Sequence, residues 1–118
     1  IREGAKLLFY NHALFTTDAA VDAMLAARIA ANDGYTIQTL LRNAQFADDY
    51  FDDEVKALKH PTLIAWGKQD GITPLVIGER LNKEIAGSEL AVFDQAGHFP
   101  QVEKAADFNK RVLEFLAK

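Results

Sequence analysis

Two ionisable residues in this sequence sit where a short apolar run gives way to a glycine-flanked loop. Asp70 lies in Gly67-Lys68-Gln69-Asp70-Gly71-Ile72-Thr73-Pro74, directly after the run Thr62-Leu63-Ile64-Ala65-Trp66. His98 lies in Ala96-Gly97-His98-Phe99-Pro100, after Leu90-Ala91-Val92-Phe93. A carboxylate and an imidazole brought together form the orienter and the general base of a nucleophilic triad. Imidazole suits the base because its unperturbed pKa, about 6.5, lies near working pH. Each residue alone has a plainer reading. Aspartate often bonds its own backbone in a turn, and His98 could simply pack on Phe99. The pairing favours the chemistry: the two residues are 28 positions apart, room for one strand-helix-strand unit.

The elements that must position them are legible from periodicity. The two apolar runs read as short buried strands, each closed by a loop. Between them, Thr73-Pro74 reads as a helix start, the hydroxyl capping and the proline in the first turn. Leu75, Ile77, Leu81 and Ile85 then give an apolar face, and Gly87 stops the helix. A last helix is expected from about Lys104 to Lys118, with Phe108, Val112, Phe115 and Leu116 inward. Strand, crossover helix, parallel strand, helix makes βαβα, whose ligands bind beyond the C-terminal strand ends. The first sixty residues read as helical. Arg2 to Asn11 suggests a short helix or helical turn. Thr16-Thr17-Asp18 starts a helix with Val21, Met24, Leu25 and Ile29 on one face, and Gly34 is expected to end it. Tyr35 to Asn43 and Asp48 to Lys59 are two further amphipathic stretches, the latter with acids early and lysines late.

Composition bounds the alternatives. A chain of 118 residues supports one compact domain. A net charge of -4 disfavours a nucleic-acid partner or an anionic membrane surface. There is no cysteine, so disulfides, thiolate catalysis and cysteine-based metal sites are excluded. Apolar runs fall far short of the roughly 20 residues that span a bilayer, so a cytoplasmic setting is expected. His12, His60 and His98 lack metal-ligand spacing, and the acidic cluster Asp48 to Glu54 lacks that of a calcium loop. No cofactor is expected, for there is no glycine-rich phosphate loop. The sole serine, Ser88, precedes the second strand, the wrong end for a nucleophile, and Gly-x-Ser-x-Gly is absent. The chain starts at Ile1 and its one methionine is Met24, which suggests a piece of something longer or a processed chain.

At Gly67-x-x-Asp70-x-x-x-Pro74 and Gly97-His98, the sequence resembles the C-terminal half of an α/β-hydrolase. The following Phe99-Pro100-Gln101-Val102-Glu103 and the terminal Phe108, Val112, Phe115 and Leu116 extend the likeness. It is specific from about Val55. Residues 1–54 resemble the helical cap inserted before those strands, and Leu8-Phe9-Tyr10-Asn11 with Thr16-Thr17 resembles the cap start of meta-cleavage-product hydrolases, which break carbon-carbon bonds. The resemblance implies an α/β fold with a cap or lid segment, residues 1–54, and the C-terminal part of the hydrolase core, residues 55–118. It implies Asp70 as triad acid and His98 as base, with Gln69, Phe99, Phe46 and Tyr50 as candidate pocket residues. The family's nucleophile, oxyanion-hole loop and first strands have no counterpart in this sequence.

Three functions stay open at this point. The chain could be part of a serine hydrolase acting on an ester, thioester or carbon-carbon bond of a small substrate. It could be a small-molecule receptor on the same scaffold, or a structural, self-associating fragment. A dehalogenase or epoxide hydrolase would use an aspartate nucleophile instead. The isolated chain is expected to be catalytically poor. Its first strand would lack a sheet neighbour, so self-association through that edge, strand exchange or a complementing N-terminal part of the core is expected.

Overall fold

The change of pattern at Pro61 divides the chain into a helical part and a strand-bearing part. The computed structural model describes residues 2–32, 34–43 and 52–118. The helical part contains α1 (Arg2–Leu8), α2 (His12–Phe15), α3 (Asp18–Ala31), α4 (Gly34–Asn43) and α5 (Asp52–Lys56). The α3 start matches its sequence signal: the Thr17 hydroxyl accepts from the Ala20 N–H at 3.2 Å, and Asp18 sits in the first turn. Its end does not. The helix stops at Ala31, with Asn32 in the left-handed conformation at φ 49°, and Gly34 opens α4 instead. Asparagine tolerates that conformation because its side chain is short and polar. Of the stretch expected over residues 48–59, α5 is the helical portion among the described residues.

After Pro61 come β1 (Leu63–Gly67), α6 (Leu75–Glu84), β2 (Glu89–Phe93), α7 (Pro100–Glu103) and α8 (Ala105–Leu116). The strands pair in parallel, with the register running from Leu63 opposite Glu89 to Gly67 opposite Phe93. Both strands therefore end at the same rim. The expected last helix is preceded by a separate short turn, α7, which Pro100 opens in its first position.

The core is thin. Ile64 of β1, Phe93 of β2, Ile85 after α6 and Ala96 are buried, and the Phe93 and Phe108 rings meet at 5.7 Å. An isoleucine or phenylalanine side chain contributes about 1.5–3 kcal/mol when fully buried, an alanine methyl less. On the α6 side, Gly78 lies directly under Trp66: a Cβ there would be 2.9 Å from the indole ring. Trp66 turns its ring N–H to the Thr73 carbonyl at 2.9 Å, linking β1 to the loop that follows it. Glu89 ties the start of β2 to α8 through Arg111 and to the residues after that helix through Lys118. Large apolar side chains remain on the surface, including Ile29 at 70%, Val76 at 64% and Leu113 at 67% exposure. Among the described residues, no helix is long and apolar enough to cross a membrane.

Candidate active site

The two strand-end loops are fastened to each other before either presents its ionisable residue. The Lys68 N–H bonds the Phe93 carbonyl at 2.9 Å, and the Gln69 N–H bonds the Ala96 carbonyl at 3.0 Å. The Gln69 side chain adds two more links, donating to Asp94 Oδ1 at 2.9 Å and accepting from the Ala96 N–H at 3.2 Å. The loops approach so closely that only glycine fits at position 67, where a Cβ would fall 1.9 Å from the Gly97 carbonyl oxygen. The flanking glycines of the sequence are thus part of the site's construction.

Asp70 projects from the first loop, its side chain 5% exposed. Oδ1 accepts the backbone N–H groups of Ile72 at 2.8 Å and Thr73 at 2.9 Å. Oδ2 accepts the Thr73 hydroxyl at 2.7 Å and lies 2.9 Å from His98 Nδ1. Burial alone would raise this carboxyl's pKa. The Thr73 N–H and O–H, then His98 and the Ile72 N–H, outweigh it and hold Asp70 below its ordinary 3.8. Asp70 is therefore an anion at neutral pH. An ionised carboxylate only accepts, so the proton of a neutral His98 imidazole sits on Nδ1, and Nε2 carries the free lone pair. That is the tautomer of a general base.

Thr73 is a site residue that the sequence pattern assigned to a different task. Its hydroxyl makes no cap bond for α6, whose cap position is Pro74. It bonds Asp70 Oδ2 instead, and its oxygen lies 3.5 Å from His98 Nδ1. The signal was available: a hydroxyl three residues after an aspartate in a tight turn can close onto that carboxylate.

His98 is one-third exposed. Its backbone N–H bonds the Leu8 carbonyl at 2.7 Å, and Phe99 meets the imidazole edge-on at 5.2 Å. A hollow of about 170 Å³ opens beside the pair, lined by Ala65, Trp66, Gly67, Asp70, Thr73, His98 and Pro100. Gln69 is not in that lining; both ends of its amide serve the loop staple. Phe99 packs its other side on Phe9, ring centres 5.4 Å apart, and Phe9 stacks on Phe15. Phe46 and Tyr50 lie outside the described residues. Ser88 sits at the opposite end of β2 from His98 and bonds Asn82. Among the described residues, no group of three potential ligands could hold a metal ion.

A parallel strand pair that delivers an aspartate and a histidine to one rim is the arrangement the sequence resemblance implied, and a profile of the α/β hydrolase fold matches residues 3–105. The chain belongs to the α/β-hydrolase family. It is 40% identical over 105 residues to a 2-hydroxy-6-oxononadienedioate/2-hydroxy-6-oxononatrienedioate hydrolase of Escherichia coli, covering 86% of this chain and 36% of that protein. Among solved structures it resembles the meta-cleavage product hydrolase CumD of Pseudomonas fluorescens IP01, with a TM-score of 0.87, 27% identity, and coverage of 98% of this chain and 44% of CumD. An esterase of Exiguobacterium antarcticum aligns with a TM-score of 0.53 and 29% identity over 56% of this chain and 25% of the esterase. The α/β-hydrolase chain described here thus spans about a third of the length of the curated relatives it matches.

Proposed function

We propose that this chain is the C-terminal portion of a serine-type α/β-hydrolase and supplies the triad acid, Asp70, and the triad base, His98. The observation that carries the reading is the 2.9 Å contact between the buried, ionised Asp70 and His98 Nδ1 at the C-terminal rim of two parallel strands. The chemistry follows from the tautomer. His98 Nε2 takes a proton from a nucleophile, a serine hydroxyl or a water, and Asp70 stabilises the imidazolium that forms. The nucleophile comes from outside these 118 residues, since Ser88 is at the wrong end of β2.

The substrate class is a small organic molecule carrying an ester or a carbon-carbon bond next to a carbonyl. Similarity to a 2-hydroxy-6-oxononadienedioate hydrolase over most of the chain favours carbon-carbon cleavage. Residues 1–54 act as the cap over that substrate, Phe99 lies beside the imidazole, and Phe46 and Tyr50 are candidate substrate-contacting residues. The exposed edge of the two-stranded sheet is covered by the N-terminal part of the hydrolase core.

The test is turnover by the full-length protein of two substrates, an activated ester and a 2-hydroxy-6-oxo-dienoate. Hydrolysis of the dienoate, abolished in His98→Ala, supports the reading. Ligand binding with negligible turnover would point to a receptor on this scaffold, and neither binding nor turnover to a structural role.

A further inference from the structure

The loop that carries His98 is held by the start of the chain as well as by Asp70. Its two consecutive N–H groups both leave the loop. The His98 N–H goes to the Leu8 carbonyl at 2.7 Å. The Gly97 N–H goes to Glu103 Oε2 at 2.6 Å, and the other oxygen of the same carboxylate accepts the Asn11 N–H at 3.0 Å. Glu103 lies in α7, five residues after His98, and among the described residues its carboxylate bonds the Gly97 and Asn11 N–H groups. The contact is closed by shape: a Cβ on Gly97 would be 2.6 Å from the Leu8 carbonyl oxygen and 3.0 Å from the Tyr10 nitrogen. Between these two attachments, Phe9 is buried and meets Phe99 in a tilted contact. Leu8, Asn11, Glu103, Gly97 and His98 therefore form one closed ring of backbone and carboxylate bonds.

We infer that Glu103 is a positioning residue for the base, locking the segment 8–11 and the Gly97–His98 peptide together so that the imidazole stays seated against Asp70. The Gly97 and Asn11 N–H groups both point at the Glu103 carboxylate, and charge-assisted bonds of this kind are about twice as strong as neutral ones. Glutamine keeps the length but offers one acceptor oxygen, so one of the two N–H groups must face an amide nitrogen. Alanine releases both. The inference rests on His98 being the base, but its test needs no turnover.

The experiment is NMR on the histidine-labelled full-length protein, comparing the parent with Glu103→Gln and Glu103→Ala. The readout is the hydrogen-bonded Nδ1 proton of His98, with His12 and His60 as internal references. The inference expects this proton signal to weaken in Glu103→Gln and vanish in Glu103→Ala, while the reference histidines and the thermal transition of Glu103→Gln stay near the parent. A sharp, unshifted Nδ1 signal in both variants would overturn it. Should both variants unfold, amide exchange in the parent decides: Gly97 and Asn11 exchanging at a common protected rate supports the lock, and rates differing more than tenfold refute it. If the parent shows no Nδ1 proton at all, the assignment of His98 as an oriented base fails, an outcome separable from failure of the lock.

Discussion

Replacing Asp70 by asparagine changes charge and hydrogen-bonding capacity while leaving shape nearly intact, so its effect can be worked from the four bonds at that carboxylate. Oδ1 holds two backbone N–H groups at 2.8 and 2.9 Å, and Oδ2 holds the Thr73 hydroxyl at 2.7 Å and His98 Nδ1 at 2.9 Å. An asparagine oxygen can serve one of these pairs. Keeping it on the fixed backbone N–H groups turns the amide NH₂ towards Thr73 and His98. The Thr73 hydroxyl can rotate and accept. His98 can accept only by moving its proton from Nδ1 to Nε2, which removes the lone pair that catalysis needs. Because the side chain is buried, little screening by solvent softens the change. Loss of the charged bonds to Thr73 and His98 is expected to cost about 1.5–3 kcal/mol of stability. For a protein of roughly 150–250 residues or more each kcal/mol moves the melting temperature by about 2–4 °C. Catalysis should suffer far more, because the wrong imidazole tautomer in a serine-histidine-aspartate triad lowers kcat about 10⁴-fold. The assay pairs thermal unfolding with steady-state hydrolysis of an activated ester by the full-length protein. Turnover of Asp70→Asn within tenfold of the parent would refute the tautomer argument, whatever the melting temperature does.

Acid titration offers a second check. The folded-state pKa of Asp70 lies below its ordinary 3.8, so ionised Asp70 stabilises the fold fully above about pH 4 and that share is lost as pH falls through the depressed value. Stability measured by denaturant from pH 5 to 2 should therefore fall less steeply in Asp70→Asn than in the parent; parallel curves would contradict the assignment. Gln69→Ala removes two links between the loops and should cost about 1 kcal/mol, part of it screened at the exposed Asp94 end, read as a lower denaturant midpoint with unchanged slope. Gly67→Ala puts a methyl 1.9 Å from the Gly97 carbonyl oxygen and 2.6 Å from that of Ala96. No rotamer relieves a backbone clash, so a loss of about 1–3 kcal/mol is expected, with chemical-shift changes concentrated at residues 96–98. A fully stable Gly67→Ala with an unchanged spectrum would show that the loops are not so close.

Much of this site was readable in the sequence because its determinants are local. An apolar run, a closing glycine and a strand-end loop fixed where Asp70 and His98 would emerge, and a parallel pair of similar strands put both at one rim. Local capping chemistry was legible at Thr17 and failed where two residues competed for one role. Asn32 took the left-handed turn expected of Gly34 because it directly follows the last helical residue, and Thr73 spent its hydroxyl on Asp70 rather than on α6. What could not be read was long-range. The resemblance offered Gln69 as a candidate pocket residue; that its amide also bridges to Asp94 and Ala96, some 25 residues away, was not legible. The bond from Glu103 to Asn11 spans 92 residues, and no periodicity or spacing encodes such a contact.

The most direct measurement is the long-range proton–nitrogen spectrum of the His98 imidazole, recorded at a pH where the ring is neutral. A protonated Nδ1 with a bare Nε2, lost or inverted in Asp70→Asn, is the predicted result. A parent protein with its proton on Nε2, or a spectrum indifferent to the loss of the Asp70 charge, would contradict the claim that this pair is an acid-oriented base.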